Sequence, residues 1–126
     1  MSKTPRRLVV GISGAYGTIY GIRMLELLKK TDIETHLVMS KSAEMTAVYE
    51  TDYKPKDVKA LASVVHPAAD IGASISSGSF PTMGMVIVPC SIRTMSEIAT
   101  GVTSSLVSRA ADVVLKEKRR LVLALR

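Results

Sequence analysis

The residues best suited to chemistry in this 126-residue chain are small and polar, and they recur where apolar runs end. Ser40 follows IETHLVM, the segment SIRT (Ser91, Ile92, Arg93, Thr94) follows MVIVPC, and Gly11, Gly14 and Gly17 punctuate VVGISGAYGTIYG. Hydroxyls, backbone amides and a cation such as Arg93 are the donors a phosphate needs. A glycine turn leading a strand into a helix usually places such a group at the helix's first turn. The plainer alternatives are tight strand-to-helix packing for the glycines and helix N-caps for Ser91 and Thr94. The spacing is G-x-x-G-x-x-G and not G-x-G-x-x-G, and about 20 residues on, where a dinucleotide site carries a ribose-binding carboxylate, the chain has Met39, Ser40 and Lys41. Hydroxyls at three strand ends therefore point to a mononucleotide.

Glu50, in YETD, is a carboxylate just after the second strand-helix unit, where general acid/base work is the sharper expectation and a surface glutamate the default. Cys90 ends a buried run with no histidine nearby and reads as a small core hydrophobe. His36 and His66 lack the spacing of metal ligands, and no metal site is expected. Phe80 reads as a loop anchor, with packing against a ligand as the alternative.

These groups need elements to position them. Arg7–Gly11 reads as a buried strand, followed by a helix with Ile19, Ile22, Leu25 and Leu28 on one face and a Glu26–Lys30 pair on the other. Residues 33–39 form a second strand, 40–50 a helix capped by Ser40 or Ser42, 55–62 a further helical segment and 64–66 a third strand. The Gly/Ser-rich stretch 70–82 is long enough to be functional. Residues 85–88 read as a central parallel strand, 103–118 as a helix with an Asp112–Lys116 pair, and 121–125 as a last strand. Alternating strands and helices predict an α/β fold, a three-layer Rossmann-like or flavodoxin-like parallel sheet with helices on both faces. Ligands of such sheets lie beyond the carboxyl ends of the strands, which selects Gly11–Gly17, Ser40, residues 90–94 and Arg126.

Composition narrows the classes. One domain over 1–126 is expected, and no apolar run approaches the ~18 residues of a membrane span. MSKTPRR leads into a β-like run, so no signal peptide is expected, and a single cysteine suits the cytoplasm. The net charge of +6 sits largely at Arg6, Arg7 and KEKRR, but four Tyr, one Phe and no Trp are few stacking platforms for nucleic acid. Solvated helix ends and attraction for phosphorylated small molecules are the favoured reading.

Taken together, VVGISGAYGTIYG, ETHLVMSK, ASISSGSF, MVIVPCSIRT and RAADVVLKEKRRLVLALR resemble the UbiX-type flavin prenyltransferases over nearly the whole chain from Arg7. PCS-x-x-T followed by RAADV-x-LKE is the specific part. The resemblance implies a subunit that binds flavin mononucleotide (FMN), in a homo-oligomer that is a dodecamer in the family. It also implies transfer of a dimethylallyl group from dimethylallyl phosphate to reduced FMN without a metal, the product serving a UbiD-type decarboxylase in ubiquinone synthesis or aromatic-acid metabolism. By matching motif, Gly14, Ala15 and Tyr16 fall in the flavin-contacting turn. Ser40, the segment Ser91, Ile92, Arg93 and Thr94, and Arg126 fall at further flavin contacts, and Glu50 near the reaction centre.

Two departures stand out. Tyr16 occupies a position where the family has a small hydroxyl residue, so its ring is expected to intrude on the flavin or prenyl pocket, with Tyr16 and Glu50 as the catalytic candidates. The chain also stops on a strand where family members continue, so a C-terminally shortened domain is expected. The alternatives are a flavin-dependent cysteine decarboxylase, whose histidine and Asn-bearing motif PCSIRT lacks, and a catalytically silent FMN-binding subunit.

Overall fold

The computed structural model describes residues 5–14 and 16–126; the expectation for Ala15 lies outside the described residues. Five strands, β1 (Arg7–Ile12), β2 (Glu34–Met39), β3 (Val64–His66), β4 (Gly84–Cys90) and β5 (Arg120–Leu125), form one sheet in the order β3-β2-β1-β4-β5. Every pairing is parallel. The expected three-layer architecture is the one observed, and the strand order is that of the Rossmann type.

The alternation of side chains along each strand decides which helix lies where. Val10, Ile12, Leu37 and Met39 face α1 (Thr18–Leu28), α2 (Lys41–Glu50) and α3 (Pro55–Lys59), burying Ile22, Leu25, Ala43 and Val58. Val9, Val38, Met85, Ile87 and Cys90 face the opposite way. They pack on α5 (Leu106–Lys116), through Leu106, Val107, Ala110, Ala111 and Val114, and on the partly buried Met95 and Ile98 of α4 (Ile92–Thr100). The chain reverses direction from β1 between its neighbours β2 and β4, and the crevice beyond their carboxyl ends is the switch point where such sheets take ligands.

Several local expectations are corrected. Ile19 is 47% exposed and belongs to the solvent side of α1. Glu26 does not pair with Lys30; it accepts the Tyr53 hydroxyl at 2.6 Å and an Arg23 N–H at 3.3 Å. No Asp112–Lys116 pair occurs among the ion pairs of the described residues. α5 starts at Leu106 because Ser105 caps it, its Oγ accepting the Ser108 N–H. Phe80 anchors the loop by packing edge-on to His36, with Arg7 stacked over its ring at 4.7 Å.

Candidate functional site

The strand ends are tied together by hydrogen bonds between segments far apart in the chain. Ser13, 1% exposed, donates its hydroxyl to the Pro89 carbonyl at 3.1 Å and accepts the Ser91 N–H at 2.9 Å, joining the end of β1 to that of β4. The Ser40 N–H donates to the Ile12 carbonyl, and the Arg126 N–H to the Cys90 carbonyl, both at 3.0 Å. The rim is thereby fixed across β2, β1, β4 and β5.

Helices α2, α4 and α5 start from this rim, and each begins with a serine. Ser40 Oγ accepts the Ala43 N–H at 3.1 Å, Ser91 Oγ accepts the Thr94 N–H at 3.2 Å and donates to Thr94 Oγ1 at 2.9 Å, and Ser105 caps α5. The capping roles read from Ser40 and Ser91 are therefore real. All three serines line one cavity of 240 Å³, with Ser13, Gly14, Ser42, Arg93, Thr94, Glu97 and Ser104. Convergent helix N-termini, each with a partial positive charge, surrounded by hydroxyls and one guanidinium, are donors suited to an anion.

The glycine turn does something different from holding a phosphate on its own helix. Gly17 starts α1 with φ 91°, a left-handed conformation suited to glycine, and its N–H donates to Glu50 Oε1 at 3.0 Å. The Thr18 N–H donates to the same oxygen at 3.3 Å. The carboxylate of Glu50 thus occupies the N-terminus of α1, where the motif alone places a phosphate. Gly14 lies against α2 so closely that a Cβ there would stand 2.8 Å from the Ala43 nitrogen. That contact brings the turn onto the helix whose N-terminus lines the anion cavity.

A second, shallower cavity of 450 Å³ adjoins the first, sharing Gly14 and Ser42 as walls and adding Tyr16, Thr46, Tyr49 and Glu50. Tyr16 is 69% exposed there. Arg126 lies in neither cavity. It lines a third of 280 Å³ with Tyr20, Val88, Pro89, Ala124 and Leu125, and its side chain abuts Gly17. Ile92 is exposed and lines none of the three. Of the residues read from the sequence, the structure brings Gly14, Ser40, Ser91, Arg93 and Thr94 into one cavity, and Tyr16 and Glu50 into its neighbour.

Sequence reasoning missed Glu97, Ser104 and Ser105, selected the segment Gly11–Gly17 without singling out Ser13, and took Ser42 only as a possible cap. The serine pair before a strongly amphipathic helix was the available signal for Ser105. Glu97 is 15% exposed and accepts the Ser104 hydroxyl at 2.8 Å and the Arg93 Nε–H at 3.4 Å. Burial works against its ionisation, yet hydrogen bonds from Ser104, Ser108 and Arg93 hold its carboxyl below the usual range.

At the end of β4, Cys90 turns its side chain into the core, fully buried, and burial pushes its thiol up. His36 Nε2 lies 2.7 Å from Glu34 Oε1 and His36 Nδ1 lies 2.9 Å from His66 Nε2. With Glu34 accepting from His36 Nε2–H, a neutral His36 accepts from His66. Among the described residues no group of three or more His, Cys, Asp or Glu is arranged to hold a metal.

A parallel sheet with a hydroxyl-rich cavity at its switch point is the architecture in which α/β proteins take ligands such as nucleotides. The chain belongs to the Flavoprotein family, whose model matches residues 1–126, and its UbiX-type resemblance is borne out by curated relatives. It is 62% identical over 122 residues to the flavin prenyltransferase UbiX of Escherichia coli K12, covering 96% of this chain and 65% of that protein. A crystal structure of AnUbiX (PadA1) in complex with FMN and dimethylallyl pyrophosphate superposes with a TM-score of 0.96 at 53% identity, over 98% of this chain and 65% of that one. A dodecameric FMN-dependent UbiX-like decarboxylase from Escherichia coli O157:H7 gives 0.94 at 51% identity, over 95% and 65%. The chain therefore spans just under two thirds of the length of these relatives.

Proposed function

We propose that this chain is the flavin-binding part of a flavin prenyltransferase. In that reading it holds reduced FMN while a dimethylallyl group is joined to the flavin, with release of phosphate, and the prenylated flavin passes to a UbiD-type decarboxylase. The observation that carries the reading is the cavity formed where three serine-capped helix N-termini meet, in a chain 62% identical to UbiX.

The donor set fits a phosphomonoester. Ser40, Ser91, Thr94, Ser105 and Arg93 supply hydroxyls and a cation without a competing metal ligand set. The neighbouring cavity, bounded by Tyr16, Tyr49 and Glu50 and sharing Gly14 and Ser42 with the first, offers room for the rest of the molecule. Reduced flavin supplies a π face and a nucleophile when bound. The protein's own part is to position it and to handle charge. Cleaving an allylic C–O bond leaves positive charge on the prenyl carbon skeleton and negative charge on the departing phosphate. Glu50, fixed by the amides of Gly17 and Thr18, is the carboxylate at hand for the positive side. Tyr16 and Tyr49 offer aromatic faces beside it. Assembly into a homo-oligomer and residence in the cytoplasm complete the proposal.

The test is to purify the protein, record a flavin absorption spectrum, reduce the bound flavin, add dimethylallyl phosphate or dimethylallyl pyrophosphate in parallel, and weigh the flavin by mass spectrometry. A gain of one prenyl unit is expected with the monophosphate. Bound but unmodified flavin under both donors identifies a silent FMN-binding subunit, and failure to bind FMN overturns the reading.

A further inference from the structure

The anion cavity contains its own anion. Glu97 sits in the wall among Ser91, Thr94, Ser104 and Ser105, and its carboxylate is engaged by two donors that also line the cavity, Arg93 and Ser104. Neither contact is a strong lock. Arg93 is 84% exposed and its Nε–H lies 3.4 Å from the oxygen, and an exposed i,i+4 ion pair of that kind holds the guanidinium only loosely. The Ser104 hydroxyl, at 2.8 Å, is on the loop between α4 and α5 and can rotate toward another acceptor. A phosphate entering the cavity meets these donors already turned toward a carboxylate, and meets the carboxylate's own charge as well.

We propose that Glu97 is a built-in competitor for the phosphate of FMN, an affinity-lowering residue that keeps bound flavin exchangeable. The inference rests on the FMN reading above, and it accounts for a negative charge in a site otherwise assembled from donors. A resident cofactor gains from the tightest possible phosphate site. A flavin that must leave as product does not. In such a site a carboxylate that takes back Arg93 and Ser104 as the phosphate withdraws stabilises the empty state and speeds release.

The test compares wild type, Glu97→Gln and Glu97→Ala by flavin fluorescence titration and stopped-flow release, with FMN and with riboflavin, which lacks the phosphate. Glutamine keeps the shape and removes the charge; alanine also frees Ser104. Both variants are expected to bind FMN about 3- to 10-fold more tightly, through slower release, as removal of one partly screened charge implies. Riboflavin affinity is expected to stay where it was. Unchanged or weaker FMN binding in Glu97→Gln overturns the inference while leaving the FMN reading intact. Equal tightening of riboflavin also overturns it, because the effect is then not on the phosphate. No FMN binding by the wild type overturns both.

Discussion

At the scale of single residues, the proposed function assigns binding to the cavity hydroxyls and chemistry to Glu50, and each assignment has its own test. Ser91 caps α4 and faces the anion cavity, so Ser91→Ala is expected to lower stability by about 1 kcal/mol through the lost cap. The same change is expected to weaken FMN binding about tenfold through the lost hydrogen bond to a charged group, with riboflavin little affected. Thermal or chemical denaturation and flavin titration read the two effects separately, and equal weakening of both flavins refutes the phosphate assignment. Glu50→Gln retains an oxygen for the Gly17 N–H, so the fold and FMN binding are expected to persist while prenyl transfer falls about 100-fold. Unaltered turnover reduces Glu50 to a helix cap. Tyr16→Ser asks whether the exposed phenol shapes the second cavity; unchanged flavin affinity and turnover exclude that role.

At the scale of elements, two contacts decide whether the rim keeps its shape. The close approach of Gly14 to the backbone of Ala43 leaves no space for a side chain, so Gly14→Ala forces the turn away from α2. A loss of about 1–3 kcal/mol is expected in urea denaturation, with weakened FMN binding, and an unaffected midpoint shows that the turn can move freely. At the sheet's other side, the contact between His36 and His66 joins β2 to β3. Burial, and then the neighbouring His36, lower the His66 pKa from its ordinary 6.5. A histidine whose folded pKa is depressed binds more protons when unfolded. Its stabilising contribution is thus full above about pH 6.5 and is lost as pH falls through the folded value. Glu34, held low first by its hydrogen bond from His36, acts in the same direction at lower pH. Stability measured between about pH 7 and 5 is expected to decline on acidification, and His66→Gln to flatten that decline; an identical pH profile in the variant refutes the assignment.

At the scale of the whole molecule, the uneven covering of the sheet is the dominant feature. On the α1 side, β5 has no helix over it among the described residues, leaving Val122 about half exposed; at its end Ala124 and Leu125 line the third cavity with Tyr20. Met45, Val48 and Tyr49 are exposed along α2, around the second cavity. Large apolar side chains exposed together along one helix beside a cavity are the kind of surface that contacts another protein. The protein, 13.5 kDa as a monomer, is expected to sediment as an oligomer at micromolar concentration, and Tyr49→Lys on α2 to shift it toward smaller species. Sedimentation as a monomer at those concentrations refutes assembly through this face of α2.

The sequence by itself determined the order of elements, the parallel sheet and the strand-end hydroxyls. Each follows from local pattern: short apolar runs, helical periodicity, and serines at the ends of strands. It also determined family membership through motifs such as PCS-x-x-T. Only the tertiary structure decided where the anion site lies. Ser105 and Glu97 join Ser40 because α4 and α5 fold back on one sheet face while α2 starts from a neighbouring strand end, a convergence of segments more than 50 residues apart. It also decided that Glu50, 33 residues along the chain from Gly17, fills the N-terminus that the glycine spacing reserves for a ligand. A local motif states which donors are free; which acceptor reaches them depends on chain segments that only packing brings together.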